Sequence, residues 1–436
     1  MTHLRHSNIV NRRIVFEDSP TSSNPIKPMQ TSFLRKTLPK YAVCVAATIV
    51  PLSLHAQTTW NGSASTNYGT AGNWTPGTAP GVGTDVLINT STPNATIVTG
   101  NLDRRGAGTT TIDGTGNLTV NGRFLQGGGG AFNVLAGSLT VNGEYFMTGG
   151  DAQGGAPNGP GVFNQSGGTV TANLLRSWHL SDNNLVTSGS SYNLTGGTLT
   201  VNSAASTAVG EDLRGVWLGK GGAGAGTMVG DNLNIAGGTA TFTRTSGNEA
   251  NVRISRNSNL SVTSGSVTFA NYSNFWVGQG ANGSTNNRIL VNGGSLIISG
   301  STNLYLGRED DGKLTINSGV LNLDGTLFLG GDGTGAFDGI GTATMTGGSF
   351  SAANITALNA GSTFTYSGGI ITLQGDRTSV ISQTWWSGAA QANYDPLSNT
   401  TLITAVPEPS SLGLAVVAGL GLLVMRRRQL LRQNSL

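Results

Sequence analysis

The chain has 436 residues, of which 67 are glycine, 37% are hydrophobic and only 10% are charged. A core is within reach but must be thin, which argues for an all-β repeat against a compact enzyme or a disordered chain. The formal charge of +3 belongs to the two ends, since 13 basic and 18 acidic residues remain in 57–406, and this excludes a basic nucleic-acid interface.

Residues 1–28 are polar and irregular. Met29 then opens a secretory signal: Arg35, Lys36 and Lys40, an apolar run over 41–54, and Ala56. Met29 therefore reads as the natural start. Cleavage is expected between Ala56 and Gln57, within a few residues, after export through the Sec translocon. The chain's one cysteine, Cys44, lies inside the apolar run, so the mature protein has no disulfide and no cysteine metal site. Val43 before it is not the small residue that a lipid-modified cysteine needs.

Residues 57–90 hold Trp60-Asn61-Gly62, Asn73-Trp74, Pro76-Gly77 and Asp85-Val86-Leu87. They read as an N-terminal cap, with Trp60 and Trp74 packed over the first coil. A sugar-binding role for the two tryptophans is the alternative.

From 91 to 375 one unit repeats. Its clearest copy, residues 304–327, contains Leu304-Tyr305-Leu306, Leu314-Thr315-Ile316 and Leu321-Asn322-Leu323, separated by turn residues. Period-two alternation marks half-buried strands, so one turn of the repeat holds three of them. The unit begins again at Leu327-Phe328-Leu329-Gly330. A Gly-Gly or Ser-Gly corner recurs, its second glycine at Gly137, Gly168, Gly197, Gly238, Gly265, Gly294, Gly319, Gly348 and Gly369. Uneven spacing between these corners implies a constant strand core with turns of variable length. A glycine there lets the chain reach positive φ without a Cβ penalty.

In the first strand of each coil, alternation predicts an outward column of Phe124, Phe146, His179, Trp217, Arg253, Trp276, Tyr305 and Phe328. Such a column could brace the coils, or it could bind a glycan. Glu309, Asp310 and Asp311, with Asp332 and Asp338 in the next coil, offer oxygen ligands for Ca²⁺, although a solvated turn is the simpler reading. No EF-hand spacing accompanies them. The literal G-x-G-x-x-G of Gly219, Gly221 and Gly224 precedes no helical pattern, so no dinucleotide site is expected. His179 is the one histidine of the mature chain and stands beside no nucleophile motif, so no triad is expected either. No cofactor is implied.

Residues 376–406, with Trp385-Trp386, read as a C-terminal cap and linker. The tail 407–436 changes character: Val406-Pro407-Glu408-Pro409, an apolar run over 410–425, then Arg426-Arg427-Arg428. Sixteen helical residues span roughly 24 Å, short of a ~30 Å hydrocarbon core. Snorkelling arginines make up the difference and keep the basic end cytoplasmic.

Two resemblances sharpen these expectations. The repeat over about 120–375 resembles the β-strand repeats of autotransporter passenger regions and PEP-CTERM proteins, and the stretch 57–90 resembles the opening segment of such β-solenoids. The tail 406–428 closely resembles the PEP-CTERM sorting signal of Gram-negative bacteria. The latter implies cleavage near Pro407-Glu408-Pro409 by an exosortase, with Glu408 and its prolines as recognition residues. It also implies transient inner-membrane anchoring and export beside an exopolysaccharide-producing system.

The expected fold is a right-handed, single-stranded parallel β-helix of about nine or ten coils with a C-terminal transmembrane helix. The expected function is structural or adhesive and non-enzymatic, at the cell surface or in extracellular polysaccharide. The alternative is a polysaccharide lyase or hydrolase on the same scaffold, which would need a convergent set of acids and bases.

Overall fold

An aliphatic side chain at every second position needs an apolar neighbour on both sides, and stacking equivalent strands supplies it. The computed structural model describes residues 57–151, 159–182, 189–203, 215–220, 229–245, 250–280, 283–331 and 339–406, with 422, 423 and 426. Over these residues the chain is all-β. Thirty-one strands join in one mostly parallel sheet that is not closed, the pairing of a β-solenoid.

Each turn of the chain contributes to three columns of parallel strands. In one coil, Asn287–Ser299 serves the first column, turns at Gly293-Gly294 and serves the second; Asn303–Leu306 serves the third. The third column stacks ten strands, from Leu102–Arg105 to Asn354–Ala357. Equivalent residues face each other without slippage in the core rows. On the second column Leu118, Leu139, Val170, Leu199, Ala240 and Val267 align in turn, and all are buried. All nine expected corner glycines adopt positive φ.

The two ends close the stack with their own side chains. Thr58–Trp60 pairs parallel with Val86–Ile88, which pairs with Thr110–Ile112, so the stack already begins within 57–90 and residue 90 marks no break. Trp60 and Trp74 are each 1% exposed and meet edge to face at 5.0 Å, leaving no ring face for a sugar. The buried Arg104 donates to the carbonyls of Gly81 and Thr84 and to Thr110 Oγ1, tying the opening segment to the first coils. At the other end Trp386 stacks on Phe364 at 4.9 Å. The strand Thr400–Ala405 then lies antiparallel between Ile370–Gln374 and Ala390–Asp395.

The signal region with Ala56, and Pro407, Glu408, Pro409, Arg427 and Arg428, lie outside the described residues. Gln57 and Val406 are exposed, as are Leu422, Leu423 and Arg426, which are helical. Among the described residues no helix is long and apolar enough to cross a membrane.

Candidate functional site

Variation in loop length singles out the third column. From Val134 onward the corner from the first column to the second keeps its length, as from Gln165 to Thr169 and from Leu194 to Thr198; it is longer only in the two opening coils, from Ile88 to Thr96 and from Ile112 to Asn117. Connections bordering the third column vary. The chain passes almost directly from Leu323 to Thr326, but runs from Ser203 to Gly215, and from Leu329 to Gly341, before the next strand. In a solenoid, insertions gathered around one face commonly mark its binding face.

The outward row of that column is Leu125, Met147, His179, Trp217, Arg253, Trp276, Tyr305, Phe328 and Thr356, in direct register. Six of the eight residues expected in the column are therefore in it. Phe124 and Phe146 are not. Both are fully buried, stacked at 4.5 Å in the row that continues inward through Trp178 and Val216. Their outward neighbours are Leu125 and Met147, so the expectation was one residue out of phase there. Trp217, Trp276, Tyr305 and Phe328 each stand two before a glycine, as in Trp276-Val277-Gly278. Counting back from Gly127 and Gly149 would have placed Leu125 and Met147 correctly.

The column changes along its length. His179 faces outward yet is fully buried, and Trp217 and Arg253 are 9% and 7% exposed. Trp276, Tyr305 and Phe328 are half-buried and form its accessible part. His179 stacks on Trp217 at 5.9 Å. The Arg253 guanidinium lies 4.4 Å from the Trp217 ring centre and 4.9 Å from that of Trp276. Arg308, from the turn after Tyr305, lies 4.1 Å from the Trp276 ring. Tyr305 and Phe328 stack at 4.7 Å and 13°. Rings stacked along the coil axis turn their faces to one another and their edges to solvent. The column therefore braces successive coils, and an incoming ligand meets ring edges and the guanidinium of Arg308.

The acidic turn is engaged within the protein. Glu309 accepts the Gly280 N–H at 2.6 Å and pairs with Arg308 at 2.9 Å. Asp310 accepts the Gly283 N–H and the Ser284 hydroxyl, both at 2.9 Å, and is 7% exposed. Asp311 accepts the Ile340 N–H at 3.4 Å. These carboxylates hold turns of neighbouring coils. Among the described residues no group of acids and histidines could hold a metal. Asp332 and Asp338 lie outside the described residues, as does Gly221–Gly224 of the glycine motif.

Asp231 does the same work at another corner and was not singled out from sequence. Fully buried, it accepts the N–H groups of Ser190 at 3.0 Å and Gly219 at 2.9 Å. A lone Asp in a Gly-Asp-Asn turn carries no signal of that role. Arg308 was likewise missed; its position directly after the strand-ending Gly307 is the clue. No family model matches this chain, and neither a curated protein nor a solved structure matches it.

Proposed function

We propose that this chain is an exported, non-enzymatic, right-handed single-stranded parallel β-helix with a structural or adhesive role at the cell surface or in extracellular polysaccharide. Export would run through the Sec translocon, and an exosortase would remove the tail after transient anchoring by the apolar run over 410–425. The observation that carries this reading is the placement of the variable connections around one face of an otherwise regular stack. A scaffold of constant strands with diversity confined to one side suits contact with an extended partner. The accessible part of the aromatic column, Trp276, Tyr305 and Phe328 with Arg308, would then be the contact strip for a polysaccharide. Two guanidinium groups lie over the Trp276 ring, and Tyr305 and Phe328 turn one face to each other, so affinity would come chiefly from ring edges, Arg308 and the bordering turns.

Pull-down of the full-length protein with the producing cell's own exopolysaccharide tests the adhesive reading. Replacing Trp276 and Phe328 together by alanine should reduce capture several-fold with the fold retained, and undiminished capture would leave the column as a brace alone. Sorting is tested separately: in a host with the matching exosortase, the intact mass should lack everything beyond about residue 410. Secreted protein that retains Arg426–Arg428 would rule that step out. Glu309 and Asp310 are held by backbone N–H groups, which supports the non-enzymatic reading over a lyase or hydrolase.

A further inference from the structure

The second column presents a different surface from the third. Its middle outward row is Thr119, Thr140, Thr171, Thr200, Thr241 and Thr268, six threonines in direct register on successive strands. Two residues earlier on the same strands stand Asn117, Ser138, Thr169, Thr198, Thr239 and Ser266. Two residues later the row begins Asn121, Asn142, Asn173 and Asn202, whose side-chain amides bond in series at 3.5, 3.0 and 2.9 Å. None of these positions carries a charge. Thr169, Thr198 and Thr239 are exposed and the middle row is half-buried.

Strand geometry fixes the spacing of this array. Equivalent hydroxyls recur every ~4.8 Å from strand to strand and every ~6.6 Å along a strand, so the three rows cover roughly 24 Å by 13 Å. Threonine is β-branched and stiff at χ1, so methyl and hydroxyl are held in place before any ligand arrives. The middle-row hydroxyls bond to no described residue and are available to solvent. Such a face offers nothing to a charged polymer. Its backbone groups are already in ladders, so it cannot take up another strand. The ligand that fits is neutral, flat and repeating on lengths close to these two.

We propose that this face binds ice. Ice surfaces repeat their oxygens at a length close to the strand-to-strand spacing in one direction and somewhat longer than the two-residue spacing in the other. Ordered water can bond to each hydroxyl while the threonine methyls sit in the hollows between. The first column lacks a threonine row: its outward row runs through Thr111, Asn133, Asn164, Asn193, Asn234 and Ser261, and the four asparagine amides are engaged with one another at 2.9, 2.9 and 2.8 Å. The inference is independent of the polysaccharide reading, which concerns the third column.

The test is incorporation of the purified full-length protein into a slowly growing ice hemisphere, with melting curves as the check on folding. Wild type should be enriched in the ice. Thr171→Tyr with Thr200→Tyr should reduce incorporation about tenfold at an unchanged melting temperature. Thr315→Tyr with Thr344→Tyr, outward on the first column, should leave it unchanged. Exclusion of the wild type from ice overturns the proposal, as does equal incorporation of the Thr171/Thr200 variant. Capture by a neutral polysaccharide that is lost in that variant, with exclusion from ice, would reassign the face to a glycan.

Discussion

Arg253 has an aromatic ring on each side, and its burial is tolerable for that reason. Two ring quadrupoles replace part of the hydration that the guanidinium loses. The same row exposes the limit of reading a column from alternation. Where both neighbours are apolar, taking the aromatic as the outward one is a guess about direction. It succeeds for Trp217 between Val216 and Leu218 and fails at Phe124-Leu125 and Phe146-Met147, where the phenyl rings are the inward members. Charge at the opening coils is more informative. Burial alone would raise the Asp103 carboxyl, but hydrogen bonds from the Arg105 side chain and N–H outweigh it and hold the group below the usual carboxylate range. A carboxyl lowered in this way stabilises the fold above its unfolded pKa of about 3.9, and that contribution is lost as pH falls through the folded value. Asp103→Asn should therefore melt earlier than wild type at pH 7, by no more than about 1 kcal/mol for a side chain this exposed. The gap should close near pH 2. A gap that widens toward acid in thermal melts would contradict the assignment.

Among the elements, the Gly-Gly corner was the most legible, because its constraint is local and repeats. At Gly238, φ is +65° and an added Cβ would sit 2.5 Å from the Gly197 carbonyl oxygen one coil earlier. That oxygen accepts the Thr239 N–H at 3.0 Å, so it cannot move without loosening the ladder. Gly129 also has positive φ, at +82°, but a Cβ there meets nothing within 4 Å. The pair separates backbone strain from collision. Gly129→Ala should cost about 1–2 kcal/mol, the left-handed penalty alone. Gly238→Ala should cost that plus about 1–3 kcal/mol for overpacking. Equal losses in denaturant melts would mean that the coil below yields freely. The turns around the third column were not legible beyond their length. Their anchors, such as Asp231 to Ser190 and Asp310 to Gly283, join residues 41 and 27 apart in sequence, and nothing local announces such pairs.

At the scale of the whole solenoid, stability is a chain of neighbour contacts, since each coil touches only the coils before and after it. The inner rows make this concrete. Leu306 is fully buried between Val277 of the preceding coil and Leu329 of the next. Leu306→Asp would place a carboxylate in that row without a partner, at a cost of several kcal/mol. In a single cooperative core the whole protein would pay equally. In a stack the damage should stay near its coil, because coils on either side keep their other neighbour. Hydrogen exchange should therefore rise first in the strands Asn274–Val277, Asn303–Leu306 and Thr326–Leu329. The Thr96–Val98 and Leu102–Arg105 strands should keep wild-type protection under mild conditions. The caps set the limit to this independence, since Arg104 and Trp386 lock the two ends to their nearest coils and fraying from either end is opposed. Uniform loss of protection across all three columns would show that the coils unfold as one unit, and that the nearest-neighbour description fails for this chain.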